Sequence, residues 1–190
     1  MIPASETFKG TWPFQPNFTE AAGFRQHYVD EGPSKGEVIL CLHGEPTWGY
    51  LYRKMIGPLA ENFRVVVPDH MGFGKSETPQ DRVYTLQSHV ENLERFIADL
   101  DLSDITIVCQ DWGGPIAGAF TARNPDLVKR LFLANTVLGY GGGQSAGGKT
   151  PWFQWIEKHE EAGTLNGILG ELGSTVLSVM KIIGFKIRRR

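Results

Sequence analysis

Four short, almost continuously apolar runs punctuate the chain: Val38–Leu42, Val65–Val67, Ile105–Cys109 and Leu131–Ala134. Each lacks the polar alternation of a half-exposed strand, so the pattern predicts strands buried on both faces of a mainly parallel sheet. An earlier piece, "GFRQHYVDEG", alternates instead and predicts a half-exposed antiparallel strand near the sheet edge. Between the runs the period changes to that of a helix. Leu86, Val90, Leu93, Phe96, Ile97 and Leu100 fall on one face, with Glu91 and Arg95 paired four apart on the other. Trp48–Ala60 and Gly113–Arg123 predict two more helices, the second ended by Pro125. Strands alternating with helices predict an α/β domain over residues 1–138.

The pattern changes at residue 139. "GYGGGQSAGGKT" is glycine-rich and predicts a loop. Beyond it, "PWFQWIEKHEEAG" and the stretch from Leu165 to Ile187 carry apolar residues at helical spacings. Residues 139–190 are therefore expected to form a separate, helical segment rather than another strand–helix unit.

Composition narrows the picture modestly. At 190 residues the chain is long enough for one domain with a sizeable core. A net charge of −2 supplies no electrostatic case for a nucleic-acid partner. The last ten residues hold five of the 19 basic side chains and no acids, so residues 1–180 carry 14 basic against 21 acidic groups. No run approaches the ~18 apolar residues of a membrane span. The start, "MIPASETFKGTWPF", lacks a signal-peptide pattern. Cys41 and Cys109 sit inside apolar runs and are expected to be buried thiols of a reducing, cytoplasmic compartment.

The chemistry concentrates in "ITIVCQDWGG", a strand running into a tight, small-residue turn with Asp111 at its apex. Such a strand-to-helix turn usually presents a serine in the pattern G-x-S-x-G. A carboxylate at the head of a helix is stabilised as an anion by the backbone N–H groups, and it needs no base to become a nucleophile. The plainer alternative is that Asp111 caps the following helix. A second stretch, "LCLHGEPTWGYLYRKM", places His43-Gly44 after a strand, where hydrolases of this design take one oxyanion N–H. The donors here would be the backbone N–H groups of Glu45 and Trp112. His43 itself reads as a loop-orienting residue. In "VVVPDHMGFGKSE", Asp69 and Ser76 read as loop builders.

With "HGEPTWGYLYRKM", "PDHMGFGKSE" and "QDWGG" in this order and spacing, the chain resembles a haloalkane dehalogenase of the α/β-hydrolase superfamily over about residues 20–137. The resemblance implies that Asp111 attacks a halogen-bearing carbon, releases halide and forms an alkyl ester, with a small halogenated alkane and water as substrates and no cofactor. Trp112 would offer its indole N–H to the halide, with core packing as the alternative role. The family also uses a late acid and a late histidine to hydrolyse the ester. The only histidine after Asp111 is His159, in the helical segment, and where some relatives carry the acid this chain has Asn135. The expectation is a C-terminally truncated relative that is alkylated but hydrolyses the ester slowly or not at all. Trp152 and Trp155 are candidates for a second halide donor, though packing explains them equally. An epoxide hydrolase would also use an aspartate but carry paired tyrosines, and only Tyr140 stands near the second segment. A non-catalytic remnant acting as an interaction module is the reading from a different class.

Three other signals weigh less. Gly143–Thr150 matches the phosphate-loop pattern, but Pro151 follows where an apolar helix should begin. The five histidines are scattered, so no metal site is expected. The ending "KIIGFKIRRR" could serve a membrane surface or partner, or carry no role at all.

Overall fold

A computed structural model describes residues 2–138 and 151–165, the side chains of 151–153 excepted. The chain divides into two compact units, Met1–Tyr140 and Gly141–Arg190. The first holds a six-stranded sheet of order β1-β2-β4-β3-β5-β6. Its strands are β1 Asn17–Thr19, β2 Gln26–Glu31, β3 Val38–Leu42, β4 Arg64–Pro68, β5 Ile105–Gln110 and β6 Val128–Ala134. β3, β4, β5 and β6 run parallel, while β1 and β2 join antiparallel on the β4 side. The four apolar runs are therefore the parallel strands, but burial on both faces holds only for β3, β4 and β5; β6 has one neighbour in the described sheet and is half-buried to exposed. The alternating piece is the antiparallel β2. The three-residue edge strand β1 left no periodicity to find.

Side-chain alternation along the strands splits the core into two layers. Leu40, Leu42, Ile105, Ile107 and Cys109 face one side, where α2 (Leu86–Asp99) and α3 (Gly113–Arg123) cover them. Ile39, Cys41, Val65, Val67 and Val108 face the other, under α1 (Arg53–Ala60) and Trp12. α2 buries Val90, Leu93, Phe96 and Ile97, each worth about 1.5–3 kcal/mol as area removed from water. Its start is set by a capping box in which Thr85 and Ser88 satisfy each other's backbone N–H. The predicted helix Trp48–Ala60 is shorter than expected: a 3₁₀ turn occupies Gly49–Tyr52 and the α-helix begins at Arg53.

Cys41 and Cys109 are free and buried, and burial pushes their thiols up to about 12 and about 11. Asp69 and Ser76 do build loops. Asp69 is fully buried and accepts from Gly49 N at 2.8 Å, Lys75 N at 2.8 Å and the His27 ring at 2.9 Å. Ser76 Oγ donates to Asp69 O at 2.8 Å and accepts from His27 N at 2.9 Å. This network ties β2 to the loops that follow β3 and β4.

In the second unit α4 spans Pro151–Glu161, within the predicted helical stretch that ends at Gly163; the predicted helical stretch after Leu165 lies outside the described residues. The glycine-rich stretch from 139, the phosphate-loop match and the basic ending lie outside the described residues. No helix among the described residues is long and apolar enough to cross a membrane.

Candidate active site

β5 ends at Gln110, and Asp111 occupies the next position in a left-handed conformation with φ +52°. Aspartate tolerates that region better than most side chains, but the conformation still costs of order 1 kcal/mol. The surroundings hold it there. Asp111 O accepts from Gly114 N at 3.0 Å and from Thr136 Oγ1 at 2.5 Å. The turn also requires small residues: a β-carbon on Gly113 would meet the backbone of Leu42 and His43, and one on Gly114 would meet Thr136 and Val137.

The Asp111 carboxylate is asymmetrically held. Oδ1 accepts from Trp112 N at 2.7 Å and from Glu45 N at 2.9 Å. Oδ2 receives no hydrogen bond among the described residues. Hydrogen bonds of this charge-assisted kind are worth about 1.5–3 kcal/mol each. The capping alternative does not describe the geometry, because Trp112 is the N-cap of α3 and the helix start has no side-chain cap. Asp111 therefore stands one residue before the N-cap, with its side chain directed at the loop after β3.

That loop comes close enough to dictate its own sequence. A β-carbon on Gly44 would lie 2.5 Å from Asp111 Oδ1 and 2.6 Å from Trp112 N. Only glycine lets Glu45 N reach the carboxylate. His43 is fully buried beneath it, its Nε2 accepting from His70 N at 2.9 Å and its Nδ1 meeting Gly44 O at 3.0 Å. Burial pushes the His43 imidazole below its usual range, against the opposing pull of the Asp69 carboxylate. His70 is pushed well below by burial and by its histidine neighbours. Partial burial and, second, the charge on Asp111 push the Glu45 carboxyl up.

A cavity of about 370 Å³ opens beside the turn, lined by Glu45, His70, Phe73, Tyr84, His89 and Trp112 among others. Its size suits a small organic molecule. Asp111, Glu45 and Trp112 are thus brought together. Asn135 follows β6 at φ +49° and is exposed. His159 belongs to the other unit, on α4, where its Nδ1 lies 3.0 Å from Thr164 Oγ1. Trp155 packs against His159 at 4.5 Å between ring centroids, and the Trp152 side chain lies outside the described residues. Reading the sequence missed His70 and His89 in the cavity wall, Thr47 behind the loop and Thr136 behind the turn. Only the nearness of Thr47 to the H-G pair could have flagged one of them. Among the described residues no cluster of three or more metal-ligating side chains occurs.

Residues 37–164 match the family described as alpha/beta hydrolase fold. A haloalkane dehalogenase of Psychrobacter cryohalolentis is 42% identical over 165 residues, covering 84% of this chain and 54% of the relative. Among solved structures, the tetrameric haloalkane dehalogenase DpaA of Paraglaciecola agarilytica NO2 superposes with a TM-score of 0.70 at 34% identity, covering 94% of this chain and 62% of that one. An epoxide hydrolase, CorEH, reaches 0.71 at 28% identity over 86% of this chain and 56% of its own. The chain thus spans about half the length of this curated dehalogenase relative from Psychrobacter cryohalolentis.

Proposed function

This chain belongs to the α/β-hydrolase fold family, and from that premise we propose that it captures the alkyl group of a small haloalkane on Asp111. The observation that carries the proposal is the asymmetry of the carboxylate, with Oδ1 held by two N–H groups and Oδ2 without a described donor. Oδ2 attacks the halogen-bearing carbon, the carbon–halogen bond breaks, and its electron pair leaves with the halide. The Trp112 indole, a donor only, receives the halide in the cavity. Oδ1 becomes the ester carbonyl oxygen and never leaves its two donors.

Those donors favour the second half-reaction. When water adds to the ester carbonyl carbon, negative charge gathers on Oδ1, where Glu45 N–H and Trp112 N–H already point. Addition also needs a base to take the water proton, and among the described residues no imidazole hydrogen-bonds Asp111. The ester therefore accumulates in this chain and decays slowly. The reading needs no cofactor. The buried thiols of Cys41 and Cys109 fit a reducing, cytoplasmic setting. The likeness to proteins named haloalkane dehalogenase supports the substrate class.

Intact-mass measurement after incubation with 1-bromobutane tests the proposal. The expected result is one butyl adduct per chain, about one equivalent of bromide released, and no adduct in Asp111→Asn. Asparagine accepts the left-handed turn and its amide oxygen can still accept from both N–H groups, so this variant should fold, losing only the charge assistance of those two bonds. Release of many equivalents of bromide would overturn the slow second step. No adduct with bromobutane but one with 1,2-epoxybutane would move the assignment to epoxide opening.

A further inference from the structure

The Glu45 N–H can serve Asp111 only while the Gly44–Glu45 peptide keeps one of its two faces turned inward. Gly44 has no side chain to hold it, and glycine moves between conformations more freely than any other residue. The close approach to Asp111 nevertheless forbids any other residue there. Flipping the peptide would replace a donor with a carbonyl oxygen aimed at a carboxylate. Something behind the peptide must prevent this.

Three donors converge on the Gly44 carbonyl from the far side: Thr47 Oγ1 at 2.8 Å, Thr47 N at 3.0 Å and the His43 ring at 3.0 Å. The tautomer of His43 follows from its other nitrogen. His70 N–H donates to His43 Nε2 at 2.9 Å, so the ring proton sits on Nδ1 and is available to Gly44 O. His70 locks the arrangement again by donating its own Nε2–H to His43 O at 3.0 Å. The two rings lie 4.4 Å apart and both are buried.

We propose that Thr47 and His43 are positioning residues for the oxyanion donor: they hold and polarise the Gly44–Glu45 peptide so that Glu45 N–H stays on Asp111 Oδ1. Each donor on the carbonyl withdraws electron density through the amide and strengthens the N–H on its opposite edge. The effect on chemistry rests on the reading of Asp111 as the captured nucleophile. Charge builds on Oδ1 when the ester is hydrolysed and drains from the carboxylate when the ester forms. Weakening the donor should therefore slow adduct decay far more than adduct formation.

The experiment compares wild type with Thr47→Val, which keeps size and branching but loses the hydroxyl, and with Thr47→Ser, which restores it. In the full chain, the Glu45 backbone amide proton is expected to shift upfield in Thr47→Val and return in Thr47→Ser. The His43 ring nitrogens should report a proton on Nδ1 and none on Nε2. After alkylation with bromobutane, adduct decay at pH 8.5 should slow about tenfold in Thr47→Val, a fraction of the 10²–10³ lost with a whole oxyanion donor. Adduct formation should change less than twofold. An unmoved Glu45 resonance, a proton on His43 Nε2, or equal losses in formation and decay would overturn the proposal. Absence of any adduct in wild type would instead sink the reading of Asp111, while the amide resonance would still decide this one.

Discussion

β5 and β6 lie side by side, parallel and in register from Ile107↔Leu131 to Gln110↔Ala134, and each is followed by a polar residue with positive φ, Asp111 and Asn135. Yet one presents a held carboxylate and the other an exposed amide. β5 is buried along most of its length between β3 and β6. β6 is the last strand of the described sheet, with Phe132 at 60% and Leu133 at 43% exposure. The turn after β5 faces the loop after β3, which donates Glu45 N–H to Asp111. The side chain of Asn135, after β6, meets no described hydrogen-bond partner. Similar local conformations thus acquire different chemistry from what stands beside them.

The contrast is sharpest in the cores of the two strands. Ile107 is fully buried in the middle of β5, so Ile107→Ala should cost about 2–5 kcal/mol in urea unfolding. A loss below about 1 kcal/mol would mean that β5 is not the rigid support described.

Gly44→Ala tests the approach of the two loops. The added carbon collides with Asp111 and with Trp112 N, backbone that cannot swing aside as a flexible side chain could. About 1–3 kcal/mol of stability should disappear, together with alkyl capture measured by mass. An alanine variant that captured bromobutane at the wild-type rate would show that the loop after β3 does not approach Asp111 as closely as described.

Acid should weaken the β5 side through its histidines. His43, His70 and His89 are all pushed below the usual imidazole range, with burial as the main cause. Unfolding lets them bind protons below about pH 6.5 that the folded protein refuses. Their contribution is therefore complete above about pH 6.5 and declines as the pH falls from there towards their depressed folded values. The raised Glu45 carboxyl acts in the opposite direction at lower pH, so Glu45→Gln should expose the histidine effect more cleanly. A melting temperature that stays level between pH 7.5 and 5.5 in Glu45→Gln would contradict this account.

Phe132→Ser should have the smallest effect, within about 0.5 kcal/mol, because the ring is already mostly in solvent. A larger loss in urea unfolding would reveal a burial partner for β6 beyond the described residues.

Much of this organisation was legible in the chain. Near-continuous apolar runs marked the four parallel strands, though not that the last of them, β6, would lie partly exposed at the sheet edge, and α2 followed from residues spaced three and four apart. The glycines after Asp111 signalled a tight turn, whereas the close approach that requires glycine at position 44 emerged only with the two loops in place. Edge strand β1 was illegible, since three residues carry no period. The 3₁₀ turn at Gly49–Tyr52 was also hidden, since tightening a helix start leaves the apolar spacing almost unchanged. His70 and His89 stood in otherwise ordinary loop and helix sequence, and nothing local distinguishes a cavity wall from a surface.

The sequence by itself determined which segments become strands and helices and which residue stands at the apex of the turn, because periodicity and steric bulk are local properties. Only the tertiary structure decided that Glu45 N–H and Trp112 N–H meet on one oxygen, that Thr47 and His43 brace the peptide behind them, and that β6 stays half-exposed. These outcomes depend on distances between segments up to 66 residues apart, which are set when the sheet assembles and its two faces are covered.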